Sequence, residues 1–270
     1  MCPGRALLQN KCADSQIIFH TTQRFDTGMG GPLMQEWLEL LDEAVRTMPN
    51  LRFVANNPYE MWYAHKVQKA TFITAQTIRP TGHWPDDVQL AFEAGDPDAN
   101  AVVLQNYEPY LNEILLSNIT NMNIPVDLLH HGRYGGAHGL AQYRCVIQFP
   151  YQVSVMAMYE NLAAGVVLIV PSLSFYRSIA QALVNHGVGL YLNDLDTLET
   201  DPAGWAATEW WGPYFADVLV HFESWEHLER ILSGQFEFHH HKQMVVQFMS
   251  EHSHQVVKQW SEILWCNCHC

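Results

Sequence analysis

The sequence predicts an α/β protein built on parallel sheets and organised as two domains. Three observations carry this. Short β-type runs alternate with helical runs along most of the chain. The alternation breaks at a Gly-, Pro- and Asp-rich stretch, Thr81 to Asn100, and then starts again. Finally, 270 residues, 48% of them hydrophobic and 16% charged, suit one large core or two modest ones at roughly 100–200 residues per domain. Strands separated by helices pair in parallel through right-handed crossovers, which layers helices against the sheet.

Taken in order, Ser15 to Thr22 is a β-type run that opens into R-F-D-T-G-M-G-G-P, a strand followed by a glycine-bearing loop. Met34, Trp37, Leu38, Leu41, Ala44, Val45 and Met48 recur at helical spacing until Pro49 stops them. Leu51 to Ala55 is a second strand, Tyr59 to Lys66 a short helix, and Thr71 to Ile78 a third strand. After the linker the pattern resumes, with strands expected at Ala101 to Gln105, Val126 to His130, Arg144 to Phe149, Val166 to Val170 and Gly187 to Leu192. Helices are expected at Tyr110 to Leu116, Val153 to Ala164, Phe175 to Val184 and Glu226 to Leu232. The β-branched run V-V-L-I-V fits a strand covered on both faces. Val245, Phe248, Met249, His252, Val256, Trp260, Ile263 and Leu264 describe a long amphipathic C-terminal helix. Two Rossmann-like domains account for the doubled pattern, with boundaries at 1–95, 96–238 and a C-terminal helix with a Cys-rich tail at 239–270.

Charge narrows the function. Lys and Arg total 14 against 28 Asp and Glu, a formal charge of −14, and binding to a nucleic-acid backbone needs a basic face instead. The 15 histidines are enough to neutralise that excess if all were protonated, so solubility is expected to worsen at mildly acidic pH. The longest apolar run, Ala163 to Pro171, is far short of the roughly 20 residues of a membrane span. No apolar stretch of signal-peptide length precedes the first charges, so a cytoplasmic location is expected. Of the six cysteines, Cys266, Cys268 and Cys270 crowd the end at a spacing that suits a reduced tail better than a disulfide framework.

The most informative stretch is Val146 to Ser172, V-I-Q-F-P-Y-Q-V-S-V-M-A-M-Y-E-N-L-A-A-G-V-V-L-I-V-P-S. It reads as strand, loop, helix, glycine, strand and loop, with Glu160 the single carboxylate on an otherwise apolar helix. A helix that starts after such a loop presents free N–H groups to phosphate, and a carboxylate accepts from a vicinal diol. P-Y-Q-V-S followed by M-Y-E-N-L-A-A-G-V and V-P-S resembles the donor-binding segment of nucleotide-sugar glycosyltransferases of the GT-B fold, over about residues 120–235. The resemblance implies two Rossmann-like domains of GT-B type, the first expected to be incomplete. It implies that Glu160 bonds the donor ribose, that Ser154 lies by the diphosphate, and that Tyr151 and Gln152 line the donor at the helix start. Asp127 to Arg144 contains four glycines and Arg133, and is similar to the GT-B loop where a basic residue meets the diphosphate; Gly136 would permit close backbone approach and Arg133 would offset phosphate charge. Two departures stand in the sequence: Tyr151-Gln152-Val153 replaces the upstream acidic residue of the family pattern, and no Pro follows Gly165.

In the first domain, Arg24, Asp26 and Gly28 follow the first strand, while Asn57 and Glu60 follow the second. Both loops emerge at the carboxyl edge of one sheet, where open α/β sheets bind ligands. Asp26 or Glu60 would act as base toward an acceptor hydroxyl, or Arg24 as a phosphate contact; Asp26 ranks above His20. Asp-Thr-Gly and Asn-Pro are equally good turn formers. The D-x-D spacings at Asp96 and Asp98 and at Asp194 and Asp196, and the loop histidines His130, His131 and His138, are read as solvated rather than metal-binding. The W-W-G-P-Y-F run near Trp210 reads as packing or as a shaped wall of the cleft.

The expected function is metal-independent transfer of a sugar from a nucleotide-diphosphate donor to a carbohydrate or other hydroxyl acceptor, with Asp26 and Arg133 catalytic and no cofactor or nucleic-acid partner. The alternatives are a non-catalytic nucleotide- or sugar-binding or interaction protein on the same scaffold, and a nucleotide-sugar epimerase.

Overall fold

The computed structural model describes residues 16–22, 25–26, 30–82, 100–105, 109–122, 125–130, 134–185 and 195–265. By contacts the chain divides into two compact units, Met1–Arg79 with Asp194–Thr208, and Pro80–Asn193 with Glu209–Cys270. Each is an α/β unit with its own parallel sheet. The boundary expected at residues 95 and 96 lies outside the described residues, as do the expected strand Gly187 to Leu192 and the tail cysteines.

The first unit runs β1 (Ile17–Thr21), α1 (Pro32–Thr47), β2 (Leu51–Ala55), α2 (Pro58–Lys66) and β3 (Ala75–Thr77), with β2 between β1 and β3. Helix α1 begins at a proline, whose missing N–H costs nothing at that position. Its apolar stripe buries Trp37, Leu41 and Ala44 against Leu51, Phe53, Ala70 and Ile73, and burying a Leu- or Phe-sized side chain is worth about 1.5–3 kcal/mol. Strand β3 is shorter than Thr71 to Ile78 because the Thr71 and Ile73 amides donate to Lys69 and Ala70 in a local turn, with Lys69 at φ 57°. Two short helices that the sequence did not announce, α7 (Leu195–Thr200) and α8 (Pro202–Ala207), complete this unit. Asp201 joins them to α2: one carboxylate oxygen caps the Ala203 amide at 3.1 Å, and the other accepts from the Trp62 indole at 3.1 Å with Lys66 Nζ at 3.5 Å. Those donors hold its carboxyl below the usual carboxylate range, the Trp62 indole contributing most.

The second unit contains β4 (Ala101–Gln105), α3 (Pro109–Ile119), β5 (Val126–His130), α4 (Gly136–Ala141), β6 (Cys145–Ile147), α5 (Met156–Ala163), β7 (Leu168–Pro171), α6 (Leu173–Asn185), β8 (Leu219–Phe222), α9 (Trp225–Arg230) and α10 (Phe238–Trp265). Its five described strands are all parallel, in the order β5-β4-β6-β7-β8. Every residue of β6 and β7 is buried, as a strand covered on both faces requires. Strand β8 sits in an aromatic-rich run and shows no alternation long enough to announce it. Helix α5 ends in a Schellman motif: Gly165 takes φ 72°, its amide donates to Leu162, and the Val166 amide reaches back to Asn161. Helix α10 buries Val245 and Met249 in the same core as Met158, Tyr159 and Leu162 of α5. It is pinned further by Lys242, whose buried ammonium donates to the Ala141 carbonyl at 2.7 Å, and by His241, which donates from Nε2 to Val218 at 3.1 Å. No helix among the described residues is long and apolar enough to cross a membrane.

Candidate functional site

Strand order selects one place in the second unit. The chain lays down β4, adds β5 on one side, then crosses to the other side for β6, β7 and β8. The order therefore reverses between β4 and β6. Loops that leave neighbouring strands in opposite directions open a crevice at the carboxyl edge, where α/β sheets take ligands. The three described strands of the first unit run in sequential order and form no such reversal.

The loop from β6 to α5, residues 148–155, lies at that reversal and carries Tyr151, Gln152 and Ser154. Its backbone carbonyls are tied from beneath. The Tyr176 hydroxyl of α6 donates to Pro150 at 2.9 Å, the Trp210 indole N–H donates to Gln152 at 2.7 Å, and the Glu209 amide donates to Val153 at 3.1 Å. Tyr176 and Trp210 are 2% and 1% exposed, so these donors are paired where leaving them unpaired would be costly. The bonds also explain why α5 starts at Met156 rather than at Val153: the Gln152 and Val153 carbonyls are turned toward Trp210 and Glu209 and do not begin a helical ladder. His221 in β8 donates from Nε2 to the Trp210 carbonyl at 2.9 Å and fixes the clamp in turn.

Of the loop's side chains, Tyr151 packs against the core of the second unit. Gln152 is exposed and Tyr151 and Ser154 are half-buried. Glu160, one helical turn into α5, is exposed on the same face as Met156, which is 52% exposed. No hydrogen bond or ion pair from another described residue engages the Glu160 carboxylate. Gly136 opens α4 after β5, on the same carboxyl edge, with Gly135 and Gly136 both at positive φ. Arg133 lies outside the described residues. At the amino end of β6, Cys145 is fully buried and desolvation pushes its thiol up to about 12, partly offset by Arg144. It stays a protonated, inert core residue at neutral pH.

The first-unit residues are differently occupied. Asp26 is 4% exposed, and its Oδ2 accepts from the Tyr63 hydroxyl at 2.5 Å and from Gln68 Nε2 at 2.8 Å. Asn57 caps α2, accepting from the Glu60 amide at 3.2 Å, and donates to Asn56 Oδ1 at 2.6 Å. Glu60 is also 4% exposed and lines a cavity with Thr21, Phe25, Met61 and Ile73. At about 10 Å³ that cavity has room for one water, not for a sugar. Arg24 and Gly28 lie outside the described residues. The sequence singled out Asp26, Asn57 and Glu60 by their loops; Tyr63 and Gln68, which hold Asp26, carried no signal, because they lie on or just beyond α2 and read as ordinary helix residues.

Of the D-x-D pairs, Asp96, Asp98 and Asp194 fall outside the described residues, and Asp196 falls in α7. Among the described residues no group of three or more His, Cys, Asp or Glu side chains gathers where a metal ion would sit. Compared with protein-family models and with curated proteins, the chain matches none.

Proposed function

We propose that the second unit binds the nucleotide part of a nucleotide-diphosphate sugar at its carboxyl edge, and that the chain transfers the sugar to a hydroxyl acceptor on a GT-B-type scaffold. The observation that carries this reading is Glu160: an exposed carboxylate, free of partners among the described residues, one turn beyond the loop at the strand-order reversal. It would accept from the ribose hydroxyls while Tyr151, Gln152 and Ser154 would line the diphosphate. Arg133 and the amides at the helix start would stabilise the leaving diphosphate, without a metal, as positive charge develops on the sugar. Asp26 would take the proton of the acceptor hydroxyl.

Calorimetry with UDP, GDP, ADP and CMP in EDTA tests the donor half. One nucleoside diphosphate is expected to bind selectively and to lose about 1–3 kcal/mol in Glu160→Ala, the scale of a charge-assisted hydrogen bond. Equal binding by the variant would remove Glu160 from the site, and binding of none of the four would remove the reading. A second reading, nucleotide binding without transfer, is favoured by one observation: the Asp26 carboxylate is buried and already accepts from Tyr63 and Gln68. Slow release of free sugar from the selected donor, lost in Asp26→Asn, supports transfer; donor binding with no hydrolysis supports the binding protein.

A further inference from the structure

We infer that Tyr176, Trp210 and the Glu209 amide are positioning groups that set the polarity of the β6–α5 loop, turning its amides outward to meet phosphate oxygens. This rests on the proposed donor site and identifies what holds it in shape.

In a trans peptide the C=O of one residue and the N–H of the next point in opposite directions, and the described chain has no cis peptide bond. Tyr176 pulls the Pro150 carbonyl inward, Trp210 the Gln152 carbonyl, and Glu209 the Val153 carbonyl. The N–H groups of Tyr151, Val153 and Ser154 must then face away from the core. The last two belong to successive peptides with the same sense, the arrangement that makes adjacent amides converge on one anion. Neither the Val153 nor the Ser154 amide has an acceptor among the described residues. All three ties come from groups buried to 2% exposure or less, from α6 and from the turn before β8, far from the loop in sequence. Apart from Gln148 Nε2, which donates to the Phe149 carbonyl at 3.2 Å, the loop is therefore held by the core. The hydroxyl of Tyr176 is kept protonated by burial, which raises it above the ordinary phenol range, so it remains a donor at any working pH.

The test separates the clamp from the ligand. In ligand-free protein, ¹⁵N relaxation of the Val153 and Ser154 amides is expected to give order parameters near the rigid value of about 0.85, falling toward 0.6 in Tyr176→Phe, which removes one hydroxyl and keeps the ring. Tyr214→Phe removes a comparable bond, to His252 Nδ1 at 2.7 Å, away from the loop; it should lower stability without changing those amides. Trp210→Phe is the second loop variant. Inorganic pyrophosphate, which has no ribose, is the binding probe. Tyr176→Phe should weaken it at least tenfold, while Glu160→Ala, which removes a negative charge and no contact to pyrophosphate, should not weaken it. Unchanged order parameters in both loop variants, the same change in Tyr214→Phe, or full pyrophosphate binding by Tyr176→Phe would each overturn the inference. Loss of pyrophosphate binding in Tyr176→Phe with unaltered nucleotide binding in Glu160→Ala would keep the clamp and discard the assignment of Glu160.

Discussion

At Gly204 two single-residue effects oppose each other. A glycine inside a helix such as α8 costs roughly 0.5–1 kcal/mol relative to alanine, so Gly204→Ala gains that much locally. An added Cβ, however, would sit 2.5 Å from Trp62 Cζ2 and 2.6 Å from Leu198 Cδ2. Leu198 has a rotamer with which to yield, but the Trp62 ring is held by its bond to Asp201. Overpacking of that kind costs about 1–3 kcal/mol and wins. Urea unfolding of Gly204→Ala should show a net loss of about 1 kcal/mol or more, and a gain would mean that α8 shifts freely on α2. The same pair shows what the sequence hides: nothing in P-A-G-W-A-A reveals that its glycine faces a tryptophan 142 positions earlier. Ser154 and Glu160 were legible as candidates because a loop, a helix and a lone carboxylate stand together in one short string. Tyr176 and Trp210 were not, because what distinguishes them is the carbonyl each one reaches across the fold.

At the scale of elements, periodicity was a good guide where one face is buried and a poor one where hydrogen bonds to distant groups decide the ends. Helix α1, strand β7 and helix α10 followed their patterns, whereas β3 was shortened by a local turn and the start of α5 was displaced by the bonds to Trp210 and Glu209. The anchoring of α10 carries a pH dependence. His241 is held below its ordinary value of 6.5, first by burial, with the neighbouring His240 adding to it and the bond to Val218 opposing it. The unfolded chain therefore takes up its proton first as pH falls. The contribution of His241 to stability is complete above about 7 and is lost from about 6.5 downward until the folded value is passed. Urea midpoints measured from pH 7.5 to 5.5 should fall less steeply in His241→Gln, which keeps a donor for Val218. A variant slope equal to the wild-type slope would show that the His241 ring is not desolvated as the fold implies.

For the whole molecule, the deciding quantity is the charge of −14 set against the anionic ligand proposed for the second unit. A protein that attracts phosphate through its overall field loses association rate as salt rises, because the attraction is screened beyond about 10 Å at 0.1 M. Here the long-range field has the opposite sign, and the groups proposed to recognise the diphosphate are short-range: backbone amides turned outward by buried donors, and one arginine. Salt should then screen repulsion on approach more than attraction on contact. The association rate of the selected nucleoside diphosphate, followed by stopped-flow tryptophan fluorescence between 20 and 200 mM salt at pH 7.5, is expected to rise, with the dissociation rate changing little. Lowering the pH toward 6 should raise the association rate further, as surface histidines gain charge. A rate that falls steeply with salt would instead mean that a local basic patch outweighs the acidic excess, and would move the recognition of phosphate from the clamped loop to cationic side chains.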